Sequence, residues 1–141
     1  MNYHRHAPHQ AVVCSECGGV ARVQPGSKVY PKRKDLAHKM FWVCPYCGAR
    51  VGCHRGSLAP LGTPALADTR EARKAAHDAF DPLWRAKMRR EGISRDLARG
   101  QAYCWLAEQL GLEPEACHIG MMDKATARKV VDICRATRRA A

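Results

Sequence analysis

The sequence contains no apolar run long enough to cross a membrane. Its amino terminus, Met1-Asn2-Tyr3-His4-Arg5-His6, lacks the apolar core of a signal peptide. We therefore expect an intracellular protein with no membrane partner. In that compartment thiols stay reduced, so that paired cysteines indicate a metal site more often than disulfides.

Residue patterns of several enzyme classes are also missing. The only asparagine is Asn2, so the His-Asn-His nuclease pattern, in which an asparagine orients a histidine base, is absent. The chain has no paired carboxylate cluster, no phosphate-cradling glycine loop and no Ser or Cys nucleophile in a recognisable elbow. We therefore predict no catalytic residues and a role that is not enzymatic.

Acidic residues are scarce. The chain of 141 residues has 24 Lys and Arg against 13 Asp and Glu, a formal net charge of +11. Up to Gly62 there are nine basic and two acidic residues, whereas from Thr63 onward there are fifteen and eleven. A basic field of this size favours a polyanionic partner, nucleic acid first, although solubility alone explains the same charge.

Two Cys-x-x-Cys pairs, each followed by a glycine, are the strongest motif in the chain. Cys14 and Cys17 form the first pair, Cys44 and Cys47 the second, and 26 residues separate them. Each pair is typical of a tight turn that directs two sulfurs to one side, with the glycine in a crowded or left-handed position. Four thiolates suit a tetrahedral structural zinc site without an open position. We predict that these four cysteines bind zinc. Disulfides or unrelated core cysteines are the alternative.

Short strand patterns surround the two pairs. Residues 20–23 predict a first strand that Pro25-Gly26 breaks, residues 40–43 a second, and residues 49–53 a third. This order predicts a three-stranded antiparallel zinc ribbon. Its apolar face is small, so zinc supplies much of its folding energy.

The predicted loop of residues 27–39 is basic and contains Tyr30 and His38. Such a loop can lie against a sugar-phosphate backbone or stack on an unpaired base, and a solvated hairpin tip has the same composition. Trp42, on the next strand, is our candidate for an exposed stacking residue. The predicted nucleic-acid-binding residues are Lys28, Lys32, Arg33, Lys34, Lys39, Arg50 and Arg55.

Beyond the ribbon the apolar residues recur at helical spacing. Thr63-Pro64 predicts a helix start, with Asp68 as a second possible start, and Asp81-Pro82 predicts an interruption. Ser94 predicts the N-cap of the next helix. Asp123 predicts that of the last. Cys104 and Cys134 fall on apolar helix faces and are predicted to be core residues.

These elements predict an α+β protein. We expect a three-stranded zinc ribbon at the amino terminus packed against a small carboxyl-terminal bundle of three to four helices, with Trp42, Trp84 and Trp105 anchoring the packing. The predicted division is a flexible His-rich tail at 1–10, the ribbon with its connector at 11–62, and a helical domain at 63–141.

Several stretches together resemble a family of small zinc-finger-containing proteins found mainly in bacteriophages and prophages. They are the two cysteine pairs, Val51-Gly52-Cys53-His54, Pro60-Leu61-Gly62-Thr63, the helix from Arg73 to Phe80 ending Ala-His-Asp-Ala-Phe-Asp, Tyr103-x-Trp105-Leu106-Ala107, and Cys117-His118-Ile119-Gly120-Met121-Met122. The resemblance implies zinc binding, a phage or prophage origin and the cytoplasm of a bacterial host cell. It implies no particular reaction.

Two further sets of residues are open candidates. Cys53-His54 and Cys117-His118, with His77, would form a second metal or catalytic site if they met in space, but adjacent residues on a strand point to opposite faces. A metal-dependent nuclease would draw on His54, His77, Asp78 and Asp81, with a histidine base beside a Mg²⁺ ligand. Packed histidines and solvated acids explain both sets more simply.

The sequence thus predicts a zinc-binding, basic accessory protein that contacts nucleic acid, DNA or RNA, by electrostatic attraction. The first alternative is a phage protein that binds and modulates a host protein, such as a defence or nucleic-acid-processing enzyme. The second is the metal-dependent nuclease. A continuous basic stripe favours nucleic acid, whereas an apolar patch with scattered charge favours a protein partner.

Overall fold

The computed structural model describes residues 10–140, so the predicted tail at 1–10 lies outside the described residues except for Gln10. One compact unit extends to Ala67 and a second begins at Asp68. The first contains the β-sheet and the second the long helices. The predicted α+β class, a three-stranded sheet followed by a small set of helices, is therefore confirmed.

The sheet of the first unit is antiparallel, in the order β1 (Arg22–Pro25), β2 (Met40–Val43), β3 (Arg50–Gly52). The first strand begins two residues later than predicted, because Val20 instead forms an isolated bridge with Val13. It also includes Pro25, which an edge strand tolerates because the missing N–H is not needed there. The predicted loop is partly helical, with a single turn, α1 (Gly26–Val29), and a 3₁₀ turn at Lys34–Leu36.

The connector after β3 belongs to the ribbon. Arg50 and Ala65 exchange both backbone hydrogen bonds, at 3.0 and 3.1 Å, and the Ser15 hydroxyl donates to the Pro64 carbonyl at 2.8 Å. Pro64 and Ala65 are buried by this pairing. The predicted helix start at Thr63-Pro64 is therefore wrong. This segment pairs with the ribbon instead, and the helix starts at Ala67.

The second unit consists of α2 (Ala67–Glu91), α3 (Arg95–Leu110) and α4 (Lys124–Ala140), with 3₁₀ turns at Pro114–Ala116 and Ile119–Met121. The predicted interruption at Asp81-Pro82 is wrong, because α2 continues through Pro82. A proline removes one helical hydrogen bond. Here Phe80 and Trp84, buried on either side of it, hold the helix in one piece.

The predicted caps of α3 and α4 are confirmed. The Ser94 hydroxyl accepts the N–H of Leu97 at 3.2 Å, and the Asp123 carboxylate accepts the N–H of Thr126 at 2.7 Å. Gly111 ends α3 in the left-handed conformation, with φ of 68°. The boundaries of these helices thus follow from local chemistry.

The core of the second unit is built around Phe80, Leu106, Ile119 and Val130, all fully buried. Trp84 is buried with them and Trp105 is half-buried, whereas Trp42 belongs to the first unit. Cys134 is a core residue as predicted. Cys104 is exposed, so its assignment to the core is wrong. It lies on the side of α3 that also carries the exposed Gly100, Gln101 and Glu108.

Candidate metal centre and basic cleft

The two Cys-x-x-Cys-Gly segments form the same turn twice. In the first, the N–H of Cys14 donates to Gly19 at 2.8 Å and the N–H of Gly18 donates to Cys14 at 3.0 Å. In the second, the N–H of Cys44 donates to Ala49 at 2.8 Å and the N–H of Gly48 donates to Cys44 at 3.0 Å. Each turn directs its two sulfurs toward those of the other turn.

The four sulfurs form one compact cluster. Cys14 Sγ lies 3.6 Å from Cys47 Sγ, Cys17 Sγ lies 3.5 Å from Cys44 Sγ, and all four lie within 4.8 Å of one another. All eight cysteines of the chain are free thiols, which excludes the disulfide alternative for these pairs. In a tetrahedral zinc site with Zn–S bonds of about 2.3 Å, neighbouring sulfurs are about 3.8 Å apart. The cluster therefore fits a zinc ion in chemistry and in size.

The ionisation of these thiols is unequal. Burial opposes ionisation of Cys44, but the N–H groups of Cys47 and Tyr46 outweigh it and lower the pKa of this thiol to about 7. The N–H of Ala49 favours the Cys47 thiolate, but burial and the neighbouring sulfurs outweigh it and raise its pKa to about 12. Such interacting thiols lose their protons in separate steps. The Cys44 thiol is therefore easier to ionise than the Cys47 thiol.

Gly19 sets how closely the two turns approach. A Cβ atom at this position would lie 2.4 Å from the Tyr46 ring and 3.2 Å from Cys44 Sγ. The ring is on the surface and can move aside, but a sulfur that binds a metal cannot. A glycine is therefore needed at position 19, because a side chain there would collide with the Cys44 sulfur of the other turn.

The fold and the cluster define a zinc ribbon, a small sheet with a four-cysteine site at one end. Residues 10–137 match the family described as a zinc-finger-containing domain, and the chain belongs to this family. The comparisons with curated proteins and with solved structures gave no match. Family and cluster together make this a zinc-binding protein.

No second metal-binding group of three or more His, Cys, Asp or Glu side chains occurs among residues 10–140. Cys53 and His54 lie in the first unit, and Cys117 and His118 in the second. Burial raises the pKa of Cys53 and of Cys117, which keeps both thiols protonated. They behave as small apolar residues.

The catalytic candidates of the second unit form a short surface contact on α2. His77 Nδ1 lies 3.4 Å from Asp81 Oδ1, and the same oxygen accepts the indole N–H of Trp84 at 3.0 Å. Asp78 is exposed. Asp81 thus holds the Trp84 side chain in place, and its contacts with Trp84 and His77 have a structural role.

A cleft of about 910 Å³ lies in the first unit, between the segment 30–41 and the segment 52–61. We call it the basic cleft, because five of its lining residues carry guanidinium, ammonium or imidazole groups and none of the described lining residues is acidic. Those five are exposed: Arg33, His38, Lys39, His54 and Arg55. Below them lie half-buried apolar residues, namely Tyr30, Leu36, Met40 and Phe41.

The predicted nucleic-acid-binding cations divide into three groups. Arg33, Lys39 and Arg55 line the basic cleft. Lys28, Lys32 and Lys34 are exposed on the same loop but do not line it. Arg50 is half-buried, with its guanidinium 5.0 Å from the centre of the Tyr30 ring and donating to the carbonyls of Gly48 and Val29 at 3.3 and 3.4 Å.

Arg33 also has a partner within the chain. Its guanidinium donates to both carboxylate oxygens of Asp35, at 2.8 and 2.6 Å, and both side chains are 60% exposed. This contact lowers the pKa of Asp35 and keeps it ionised. An exposed ion pair of this kind contributes little to stability, so the Arg33 guanidinium can exchange this carboxylate for another anion at little cost.

The aromatic residue of β2 that lines the cleft is Phe41, the neighbour of the predicted Trp42. Trp42 donates its indole N–H to the Leu58 carbonyl at 2.8 Å and does not line the cleft, whereas Phe41 does. The Trp42 indole is half-buried and held by this hydrogen bond, and it is not part of the cleft lining. The basic loop next to β2 indicated that an aromatic residue of this strand could line a binding surface. Only the structure shows that this residue is Phe41 and not Trp42.

The part of the chain that the structure describes has no helix with the length and apolar content of a membrane span.

Proposed function

We propose that this protein is a zinc-dependent nucleic-acid-binding module, and that Cys14, Cys17, Cys44 and Cys47 are its zinc ligands. The observation that carries the proposal is the basic cleft, with three permanent cations, two imidazoles and no acidic side chain among its described lining residues. A concave surface with charge of one sign raises the local concentration of a polyanion. Phosphate contacts then supply most of the affinity.

Zinc has a structural role in this proposal. A four-thiolate site has no open coordination position, so the ion joins the two turns and does not take part in a reaction. The two walls of the cleft come from the hairpin between β1 and β2 and from the segment after β3. Because one turn precedes β1 and the other lies between β2 and β3, closing the zinc site holds both walls in place.

The role of each cation depends on where it lies in the ribbon. Lys39, Arg55 and Arg33 are exposed at its rim, where an ammonium or guanidinium group can meet a phosphate oxygen. Lys28, Lys32 and Lys34 extend the positive surface along the same loop. Arg50 supports the loop from within, through Tyr30 and the Val29 carbonyl.

Fluorescence anisotropy with labelled DNA and RNA oligonucleotides, measured between 50 and 200 mM salt, tests this function. We expect the logarithm of the binding constant to fall linearly with the logarithm of the salt concentration. Lys39→Ala combined with Arg55→Ala should weaken binding and lower the magnitude of the slope by about 2, one for each lost phosphate contact.

The matched control is Arg138→Ala combined with Arg139→Ala. It removes the same charge from exposed positions near the end of α4 in the second unit. We expect near wild-type binding from this variant. Equal losses in both variants would mean that net charge alone drives association, and binding that does not depend on salt would exclude the electrostatic mechanism.

A protein partner, such as a host enzyme bound by a phage-encoded protein, is the second candidate. It is favoured by the exposed side of α3, where Leu97 is 48% exposed and borders a shallow depression of about 510 Å³ with Cys104 and Trp105. A pull-down from bacterial lysate, with and without nuclease treatment, tests it. A protein that wild type retains and Leu97→Asp loses supports this role, and one lost on nuclease treatment argues for nucleic acid.

The nuclease alternative has little support at the cleft. His38 and His54 line it, but no carboxylate does so among the described residues, and a Mg²⁺-dependent reaction needs oxygen ligands. Incubation with plasmid and Mg²⁺ or Mn²⁺ checks this. Cleavage by the wild-type protein that is lost in His54→Ala would support a catalytic role for the cleft.

A further inference from the structure

The basic cleft has two layers of different chemistry. Its exposed rim is cationic, and its half-buried interior is apolar, formed by Tyr30, Leu36, Met40 and Phe41. A surface that binds only phosphates needs the first layer and gains nothing from the second. A ligand that matches both layers combines a negatively charged chain with a flat, largely apolar group.

We propose that the basic cleft binds single-stranded nucleic acid and takes one unpaired base into its apolar interior, against Phe41. This inference rests on the proposed function and adds the class of substrate to it. The bases of a duplex are stacked on one another and present only their edges, so their faces cannot enter such a cleft. An unpaired base offers its face to an aromatic ring.

The residue across the sheet from Phe41 is a glycine, which adds no side chain to the cleft. Gly52 lies directly opposite Phe41 in the register of β2 and β3. A Cβ atom on Gly52 would lie 3.8 Å from Phe41 Cε1 and 3.5 Å from Leu61 Cδ1, which are ordinary contact distances. Both of those side chains line the cleft. An alanine therefore fits at this position, and a larger side chain would extend into the space proposed for the base.

The two aromatic rings of the cleft have different roles. Tyr30 meets Phe41 edge to face, with ring centres 5.2 Å apart and an angle of 71° between planes, and it is also contacted by the Arg50 guanidinium. Tyr30 thus supports Phe41 from one side and is itself held by a cation. Phe41 is the ring whose partner across the sheet, Gly52, has no side chain.

Cysteine and histidine side chains close the far wall. Cys53 and His54 follow Gly52 directly, and both line the cleft. Burial raises the pKa of Cys53, so its thiol is neutral and extends the apolar interior. The exposed His54 and His38 add hydrogen-bonding groups at the rim, suited to the polar edge of a base or to a phosphate.

The test compares three labelled strands of equal length at one salt concentration: a single strand, the duplex of the same sequence, and a strand made of abasic sites. The abasic strand keeps every phosphate and lacks every base. We expect the single strand to bind about 5- to 150-fold more tightly than the abasic strand, the range for one stacked base. Equal affinity for the two would overturn the inference.

The matched variants are Gly52→Leu and Gly52→Ala. Gly52→Leu fills the cleft without removing a charge, so it should reduce affinity for the single strand to that of the abasic strand, while Gly52→Ala should bind within about twofold of wild type. Zinc content and thermal unfolding establish that each variant is folded. Should Gly52→Leu not fold, Phe41→Leu replaces it, since it removes the ring and keeps an apolar side chain.

The outcomes separate this inference from the function on which it rests. If Gly52→Leu and Phe41→Leu bind the single strand like wild type while Lys39→Ala combined with Arg55→Ala loses binding, the cleft binds phosphates only and base insertion is wrong. Preference for the duplex also contradicts base insertion. If the wild-type protein binds none of the three strands, both proposals fail together.

Discussion

Gly18 and Gly48 adopt the same left-handed backbone conformation, with φ of 78° and 79°, and each donates its N–H to the cysteine carbonyl four residues earlier at 3.0 Å. One turn is thus built twice, by sequences that share only Cys-x-x-Cys-Gly. A Cβ atom would meet nothing within 4 Å at either glycine, so glycine is required there for its backbone freedom.

Gly48→Ala should weaken zinc binding. The left-handed conformation costs a residue with a side chain about 1–2 kcal/mol, which corresponds to a loss of about 5- to 30-fold in zinc affinity. Competition with a chromophoric chelator measures it. Gly100→Ala is the contrasting change, because Gly100 is inside α3 with open space around it. It should leave zinc affinity unchanged and stabilise the helical unit by about 0.5–1 kcal/mol.

Zinc content should depend on four cysteines only. We expect one zinc ion per chain by elemental analysis, and loss of the ion with collapse of the ribbon in Cys44→Ser, because three thiolates leave the tetrahedral site incomplete. Cys104→Ser is the matched control, since Cys104 is exposed on α3 in the second unit. A full complement of zinc in Cys44→Ser would contradict the ligand assignment.

Arg73 is expected to stabilise the second unit. It is buried on α2, and its Nε donates to the Met122 carbonyl at 2.8 Å, next to the start of α4. Arg73→Met leaves that buried carbonyl without this donor and should lower the free energy of unfolding by about 1–3 kcal/mol. Chemical denaturation followed by helical circular dichroism measures it. The same change at the exposed Lys74 should have little effect, and equal effects would show that Arg73 acts only through its charge.

Arg50 is expected to act on stability more than on binding. Its guanidinium contacts Tyr30 and two backbone carbonyls, so Arg50→Ala should destabilise the first unit by about 1–2 kcal/mol. Thermal unfolding followed by zinc release measures it. Lys34→Ala removes an exposed cation of the same ribbon and should leave the unfolding temperature unchanged. An unchanged temperature in Arg50→Ala would make Arg50 available for phosphate.

Asp123 should make the stability of the helical unit depend on pH. The N–H and hydroxyl of Thr126 hold the pKa of this carboxyl below its ordinary value. A carboxyl with a lowered folded-state pKa stabilises fully above its unfolded-state pKa, about 3.9, and this contribution is lost as the pH falls through the folded-state value.

Asp123→Ala removes that contribution. It should cost about 0.5–2 kcal/mol near pH 7, as is usual for loss of an N-cap, and the difference from wild type should shrink below about pH 4. Unfolding curves at pH 7, 5 and 3 test this. A difference that stays constant over the three values would mean that the cap acts without its charge.

Some features were predictable because they depend on neighbours in the chain. Ser94 and Asp123 cap their helices by bonds to N–H groups three residues on, and Gly111 ends α3 by its own conformation. Pro82 shows the limit of such reasoning. Its local effect is to break a helix, but the packing of Phe80 and Trp84 outweighs it.

The cleft was less predictable than the zinc site. Basic residues on the loop were evident in the sequence, but the opposite wall is formed by the segment 52–61, and only the pairing of β2 with β3 brings the two together. The same pairing decides that Phe41 and not Trp42 lines the cleft. It also separates Arg50, which is used inside the ribbon, from Arg55, which is at the rim.

The sequence by itself determined the zinc site, the α+β class and the ends of most helices, because spacing, caps and glycine conformations act over a few residues. Only the tertiary structure decided which cations are exposed, which aromatic ring lines a cleft, and where the ribbon ends. Those features depend on strand register and on long-range backbone pairing, such as that of Arg50 with Ala65, which no local pattern encodes.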